Sequence, residues 1–131
     1  MNTDLVIKVA LADDHKIFRD GIKMALKGKE YLKLLWEAED GRDLMHKMKM
    51  KKPDVLLMDI RMPEMDGFQF LDELKNLPKD PLKYLNVFML TSSLDQKDIV
   101  RSREYPMVKG FLSKPLDMLT VKDILSRTEI K

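Results

Sequence analysis

Charged and hydroxyl side chains stand at the ends of four short apolar runs in this sequence. The runs end in Asp13-Asp14, in Asp59, in Thr91-Ser92 and in Lys114-Pro115. Three carboxylates that share one site repel one another, so ionising all three is costly without a cation. A ligand set of oxygens, without Cys or His, favours a hard cation. Mg²⁺ fits best, because it takes one or two carboxylates, keeps waters and completes its shell with phosphate oxygens.

The same residues suit the chemistry of phosphoryl transfer. An Asp carboxylate can attack phosphorus and form an aspartyl phosphate. The transferred group carries negative charge on its peripheral oxygens, which Mg²⁺, an ammonium group and a hydroxyl can stabilise. Lys114 supplies the ammonium group and Thr91 supplies the hydroxyl. The set therefore predicts a site that places a phosphoryl group on one Asp.

Apolar runs typical of buried strands alternate along the chain with amphipathic segments that have helical spacing. The predicted strands are residues 5–12, 32–38, 55–59, 86–91 and 109–113. The predicted helices are residues 17–26, 40 to before Pro53, 68–74, 95–105 and 118–125. In the fourth helix we expect Asp95 to be the cap and Ile99 and Val100 to be the apolar anchors. The alternation indicates an α/β fold with a parallel sheet and helices on both faces. Ligands of such sheets bind at the carboxyl ends of the strands, where the polar residues stand.

Length and composition limit the class of protein. The 131 residues, 44% of them hydrophobic, suit one domain over residues 1–131. The absence of Cys excludes a disulfide scaffold, a thiolate zinc site and a cysteine nucleophile. Because 24 Lys and Arg nearly balance 22 Asp and Glu, no general attraction to nucleic acid or anionic lipid is expected. No apolar run approaches the ~20 residues that span a bilayer, and no signal peptide is recognisable, so we expect a cytoplasmic protein.

The four motifs, together with the stretch 60–67 that follows Asp59, resemble the receiver domain of two-component response regulators, the CheY-like family. The resemblance extends from about Val6 to Leu125. It implies a flavodoxin-like, five-stranded parallel sheet in the order 2-1-3-4-5. The stretches Thr91-Ser92-Ser93 and Lys109-Gly110-Phe111 look more like stand-alone receivers, so we expect a stand-alone domain without an effector domain in this chain. The opening Asp13-Asp14-His15 is instead similar to receivers attached to helix-turn-helix DNA-binding domains. A receiver domain is a phosphoryl acceptor that assists its own phosphorylation and dephosphorylation rather than an enzyme.

The resemblance also implies a metal site and an acceptor. Asp59 matches the phosphoryl acceptor, and Asp13 and Asp14 match the acidic pair that holds Mg²⁺ beside it. Arg61 matches the position whose backbone carbonyl completes the metal site, so its side chain is free to vary. The phosphoryl donor would be a sensor histidine kinase or a phosphotransfer protein.

Further matches concern phosphoryl binding and switching. Thr91, Ser92 and Lys114 match the groups that bind the phosphoryl oxygens, and Thr91 and Phe111 match the switch pair. Phe111 lacks a hydroxyl, so we expect it to favour a buried position. A change in the face formed by helix four, strand five and helix five would be read by an output protein of unknown identity.

Other interpretations stay open for the same residues. Asp13-Asp14 could be the N-cap pair of the first helix, and His15 is expected to be exposed in its first turn. The domain could also be an interaction module that works without phosphorylation. A hydrolase of the haloacid-dehalogenase type is a third possibility, but that family has a second Asp two residues after its nucleophile, and this chain has Arg61 there.

Overall fold

The computed structural model describes residues 6–79, 82–93 and 95–114, which form an α/β fold. The strands are β1 Ile7–Ala12, β2 Leu32–Ala38, β3 Val55–Asp59, β4 Asn86–Thr91 and β5 Val108–Ser113. The helices of this part of the chain are α1 Lys16–Leu26, α2 Gly41–Met50, α3 Gly67–Leu74 and α4 Gln96–Ser102. The predicted strands are confirmed with two differences at their starts: β5 begins one residue earlier than expected, and β1 begins at Ile7, so that Val6 lies outside it. The predicted fifth helix, residues 118–125, lies outside the described residues.

The strands form one parallel sheet in the order β2-β1-β3-β4-β5, as the resemblance implies. The register pairs Ala12 of β1 with Met58 of β3, and Asp59 of β3 with Leu90 of β4. The carboxyl ends of these three neighbouring strands therefore meet at one edge of the sheet. Helices lie on both faces, which confirms the predicted architecture.

Alternate residues of the strands supply two separate hydrophobic clusters, one on each face. On one face, Val9, Leu11 and Leu57 pack with Ile22 and Leu26 of α1. The opposite face packs α2 and α3 onto the sheet, with these buried residues among others: Ala10, Ala12, Leu56, Met58, Leu44, Met48, Phe68 and Leu71. The strand ends are fixed from both sides, which holds their polar residues in place.

Three of the four described helices begin at an Asp whose side chain accepts a backbone N–H. These caps are Asp40, Asp66 and Asp95, and Asp66 forms a reciprocal capping box with Gln69. The interpretation of Asp13-Asp14 as the cap pair of α1 is wrong, because His15 holds the cap position and makes no side-chain cap bond. The carboxylate of Asp13 instead contacts Lys114 at the carboxyl edge of the sheet.

Helix α4 differs from its prediction in length and in anchoring. It ends at Ser102, three residues before the expected end at Tyr105. Val100 is 51% exposed and is therefore no apolar anchor, while Ile99 is half-buried. Only Ser102 of this helix is buried, so α4 is held to the body with little apolar burial. None of the described helices is long and apolar enough to cross a membrane.

Candidate functional site

Asp13 and Asp59 lie side by side at the carboxyl edge of the sheet. Each directly follows or ends a strand, and the pairing of Ala12 with Met58 brings the two positions together. Both are buried, with 1% of Asp13 and 6% of Asp59 exposed. Two carboxylates with so little access to water need a compensating charge.

Lys114 supplies part of that charge. Its backbone N–H donates to the carbonyl oxygen of Thr91 at 2.9 Å, which continues the β4–β5 ladder beyond Ser113. Its Nζ lies 2.6 Å from Oδ2 of Asp13 and donates to Oδ2 of Asp59 at 3.1 Å. The ammonium group also lies 4.6 Å from the ring centroid of Phe18, on α1. The lysine thus contacts both buried carboxylates at once.

The environment shifts two ionisation equilibria at the site. Burial raises the pKa of Asp59, and the charge of Asp13 adds to this, although the hydrogen bond from Lys114 opposes it. Burial alone lowers the pKa of Lys114, but its contacts with Asp13 and Asp59 outweigh burial, so the pKa is raised. Lys114 therefore stays charged. The negative charge of the Asp59 carboxylate is only partly compensated by its surroundings.

The site contains a group of possible metal ligands. One ligand atom from each of Asp13, Asp14, His15 and Asp59 lies within 4.8 Å of the others. Oδ2 of Asp13 is buried and finds no hydrogen-bond partner among the described residues, so its contact with Lys114 is one of charge without hydrogen-bond geometry. Three carboxylates facing one lysine leave a deficit of positive charge. The donor set therefore fits a divalent cation such as Mg²⁺.

A cavity of about 270 Å³ opens beside Asp59. It is lined by His15, Asp59, Ile60, Arg61, Thr91, Ser92, Ser93, Asp95 and Lys114. The structure thus brings the predicted residues Thr91, Ser92, Arg61 and Lys114 to one space in front of the carboxylate. The Thr91 hydroxyl donates to the carbonyl oxygen of Ser93 at 2.8 Å and accepts its N–H at 3.1 Å. The hydroxyl is therefore held by two hydrogen bonds within its own loop.

The segment after Asp59 approaches the carboxylate through its backbone. The N–H of Arg61 donates to Oδ1 of Asp59 at 3.3 Å, whereas the Arg61 side chain is exposed. Gly67 closes the loop by donating its N–H to the carbonyl oxygen of Ile60 at 2.7 Å. A Cβ at Gly67 would lie 3.1 Å from the carbonyl oxygen of Asp59, so glycine allows this close approach.

Phe111, the other predicted switch residue, does not line the cavity. It lies opposite Met89 in the β4–β5 ladder and packs on the face that carries α2 and α3. It is half-buried rather than buried, because β5 is the edge strand of the described sheet and its residues are covered less completely.

Arg19 is a buried residue of this region that the sequence motifs did not indicate. Its side chain donates through Nη1 to the carbonyl oxygen of Asp13 and through Nε to Oε1 of Glu37 at 2.8 Å. Lys23 also contacts Glu37, at 2.7 Å. Burial raises the pKa of Glu37, but hydrogen bonds from Lys23 and Arg19 outweigh it, so the pKa is lowered. One feature of the sequence could have indicated Arg19: it lies on the same helical face as Ile22 and Leu26, where a charged residue needs buried partners.

Comparison with known proteins agrees with this geometry. Residues 9–126 match the family described as the response regulator receiver domain. The response regulator protein VraR of Staphylococcus epidermidis is 33% identical over 124 residues, which are 95% of this chain and 57% of that protein. VraR of Staphylococcus aureus is 31% identical over the same lengths. The chain thus spans a little over half the length of these curated relatives.

Solved structures give the same result. The signal receiver domain of NarL from Mycobacterium tuberculosis superposes with a TM-score of 0.81 and 28% identity, covering 96% of this chain and 98% of that domain. The chemotaxis protein CheY4 of Vibrio cholerae superposes with a TM-score of 0.80 and 26% identity, covering 95% of this chain and 99% of that protein. With the family match over most of the chain, these likenesses show that the protein belongs to the response regulator receiver domains.

Proposed function

We propose that Asp59 accepts a phosphoryl group from the phosphohistidine of a histidine kinase or a phosphotransfer protein. The observation that carries this proposal is the position of Lys114, whose Nζ contacts the carboxylates of Asp13 and Asp59 at 2.6 and 3.1 Å beside an open cavity. Receiver domains in general accept phosphoryl groups and interact with such kinases and phosphotransfer proteins. Residues 1–131 would then act as a single receiver domain.

In the proposed step, a carboxylate oxygen of Asp59 forms a bond to phosphorus as the phosphorus–nitrogen bond of the donor breaks. The electron pair of that bond returns to the imidazole nitrogen, which leaves as ordinary histidine. Lys114 stabilises the negative charge on the peripheral oxygens, and the hydroxyls of Thr91 and Ser92 donate to them. Mg²⁺, when held by Asp13, Asp14, Asp59 and the backbone carbonyl of Arg61, would supply further positive charge there.

Removal of the group would follow the same geometry. A water molecule attacks phosphorus from the cavity side, the bond between phosphorus and the Asp59 oxygen breaks, and inorganic phosphate leaves with the carboxylate restored. Ser92 and Ser93 are both exposed at the mouth of the cavity. In this proposal water would reach the acyl phosphate through the cavity, and the chain would assist its own dephosphorylation.

The signal would leave through α4 and β5. Thr91 would exchange its bonds with Ser93 for the new phosphoryl oxygens, and Phe111 would move with it into the space beside β4. Helix α4 begins at Gln96, a few residues after Thr91, and buries only Ser102, so its displacement costs little apolar contact. An output protein would recognise this altered face, and no direct contact with nucleic acid or membrane is part of the proposal.

The test is labelling by a small phosphodonor. Wild-type protein incubated with acetyl phosphate and Mg²⁺ should gain the mass of one phosphoryl group, and Asp59→Asn should gain none. Asp95→Asn is the matched control, because Asp95 lines the same cavity and Asn caps a helix as well as Asp does. Equal labelling of Asp59→Asn and wild type would overturn the proposal. Wild type that no donor or kinase labels would favour an interaction module that works without phosphorylation.

A further inference from the structure

We propose that His15 is a metal ligand of this site and makes it selective for divalent cations that accept imidazole, such as Ni²⁺, Zn²⁺ and Fe²⁺, relative to Mg²⁺. The inference deepens the proposed function, since both use the cation site formed by Asp13, Asp14 and Asp59. The sequence motifs do not indicate this role, because they place His15 as an exposed residue of the first helical turn.

The position of the imidazole carries the inference. Nδ1 of His15 lies 3.1 Å from Oδ1 of Asp13 and 3.1 Å from Oδ1 of Asp14. Two neighbouring ligands of an octahedral cation, each about 2.1 Å from the metal, are themselves about 3 Å apart. A single N–H bond can point well at only one of the two oxygens, whereas one cation can bind the nitrogen and both oxygens together. Both nitrogen-to-oxygen distances therefore have the spacing of neighbouring ligands in a coordination shell.

The charge around Asp13 is the second observation. Oδ2 of Asp13 is buried and meets Nζ of Lys114 at 2.6 Å without hydrogen-bond geometry. The other oxygen, Oδ1, accepts the backbone N–H of His15 at 2.8 Å, which keeps this residue beside the carboxylate. Since Asp13 and Asp59 share this one ammonium group, the site that His15 adjoins suits a further positive charge.

The chemistry of the two donor types sets the direction of selectivity. Carboxylate, carbonyl and water oxygens suit Mg²⁺, while imidazole suits Ni²⁺, Zn²⁺ and Fe²⁺. Affinity of a mixed nitrogen and oxygen site for first-row cations rises toward the end of that series. The His15 side chain is 68% exposed, so it can turn away when a magnesium ion keeps its waters. The residue then favours transition cations without obstructing Mg²⁺.

The experiment compares His15→Gln with His46→Gln in untagged protein. His15 and His46 are the two histidines of the chain, and His46 is exposed on α2. Calorimetric titration should show that His15→Gln loses about tenfold or more in Ni²⁺ affinity while its Mg²⁺ affinity changes by less than about threefold. His46→Gln should match wild type for both cations. Proton NMR of the Ni²⁺-loaded protein should show a hyperfine-shifted, exchangeable imidazole signal that disappears only in His15→Gln.

Each contrary result is decisive. The proposal fails if wild type does not bind Ni²⁺, if His15→Gln loses Ni²⁺ and Mg²⁺ affinity by the same factor, or if its shifted imidazole signal persists. Phosphoryl labelling of Asp59 in the presence of Mg²⁺ is a separate readout. If Asp59 of the wild-type protein is not labelled while Ni²⁺ binds through His15 as predicted, the proposed function is contradicted and the role of His15 as a ligand still stands.

Discussion

Nζ of Lys114 lies 2.6 Å from Oδ2 of Asp13, a residue that is only 1% exposed. This ion pair joins the ends of β1 and β5, which are separated in the sheet by β3 and β4. The same ammonium group also contacts Asp59, at the end of β3. One lysine thus holds together two carboxylates that would otherwise repel each other, and the stability of the domain is coupled to the charge state of its site.

Lys114→Met should destabilise the fold. It leaves Asp13 and Asp59 buried without their cation, and we expect a loss of about 2–3 kcal/mol in the free energy of unfolding, measured by urea denaturation without divalent cations. Lys109→Met changes an exposed lysine of β5, the strand that precedes Lys114, and should stay within about 0.5 kcal/mol of wild type. Added Mg²⁺ should recover part of the deficit. If the two variants unfold alike, Lys114 does not compensate the carboxylates.

Asp59→Asn should stabilise the protein near neutral pH. Because burial raises the pKa of Asp59, the folded state binds this proton more tightly than the unfolded state, and stability falls as pH rises through the raised pKa. Without Mg²⁺ we expect the variant to gain about 1 kcal/mol at neutral pH, or roughly 3–6 °C in Tm. The gain should vanish as pH falls toward the ordinary value of 3.8, where wild type is also neutral at this position. A constant difference across this pH range would contradict the assignment.

Arg19→Gln should weaken the joint between α1 and the end of β1. The change removes charged donors from Glu37 and from the Asp13 carbonyl oxygen, and the expected loss is about 2–3 kcal/mol in thermal or urea unfolding. A double-mutant cycle with Glu37→Gln should give a coupling energy of about 1 kcal/mol or more. Arg42→Gln, at an arginine whose side chain is 81% exposed, serves as the control. A coupling energy near zero would mean that Arg19 acts through the Asp13 carbonyl alone.

Two glycine substitutions should have opposite effects. A Cβ at Gly41 would lie 2.1 Å from the carbonyl oxygen of Met65, in the loop that follows Asp59, so Gly41→Ala must displace that loop or α2. We expect the free energy of unfolding to fall by about 2 kcal/mol or more.

Gly21 is in the middle of α1 with open space around it, so Gly21→Ala should raise the free energy of unfolding by about 0.5–1 kcal/mol through helix propensity. Thermal unfolding measures both, and a neutral Gly41→Ala would show that the loop yields freely.

The sequence predicted the sheet, and the meeting of polar residues at its carboxyl edge, because both depend on local patterns. Strands 32–38, 55–59 and 86–91 are mostly apolar runs, and their predicted bounds are those of β2, β3 and β4. The polar residues at their ends needed only the rule for parallel sheets to be brought together.

What the sequence did not predict depends on contacts between distant segments. Val100 has the spacing of an anchor, but the neighbours of α4 leave it exposed, and spacing cannot show what a helix packs against. The partnership of Arg19 with Glu37 joins α1 to β2, and the meeting of His15 with two carboxylates depends on the turn after β1. These are geometries of packed side chains, on which residue order gives little information.

The position of the label tests the central claim most directly. The protein is phosphorylated by acetyl phosphate with Mg²⁺, then reduced with borohydride, which converts an aspartyl phosphate to homoserine, and digested for peptide mass mapping. We predict homoserine at position 59 and at no other aspartate, with none formed when Mg²⁺ is removed by a chelator. Homoserine at Asp13, Asp14 or Asp95 in place of Asp59, or labelling that does not need a divalent cation, would contradict the account.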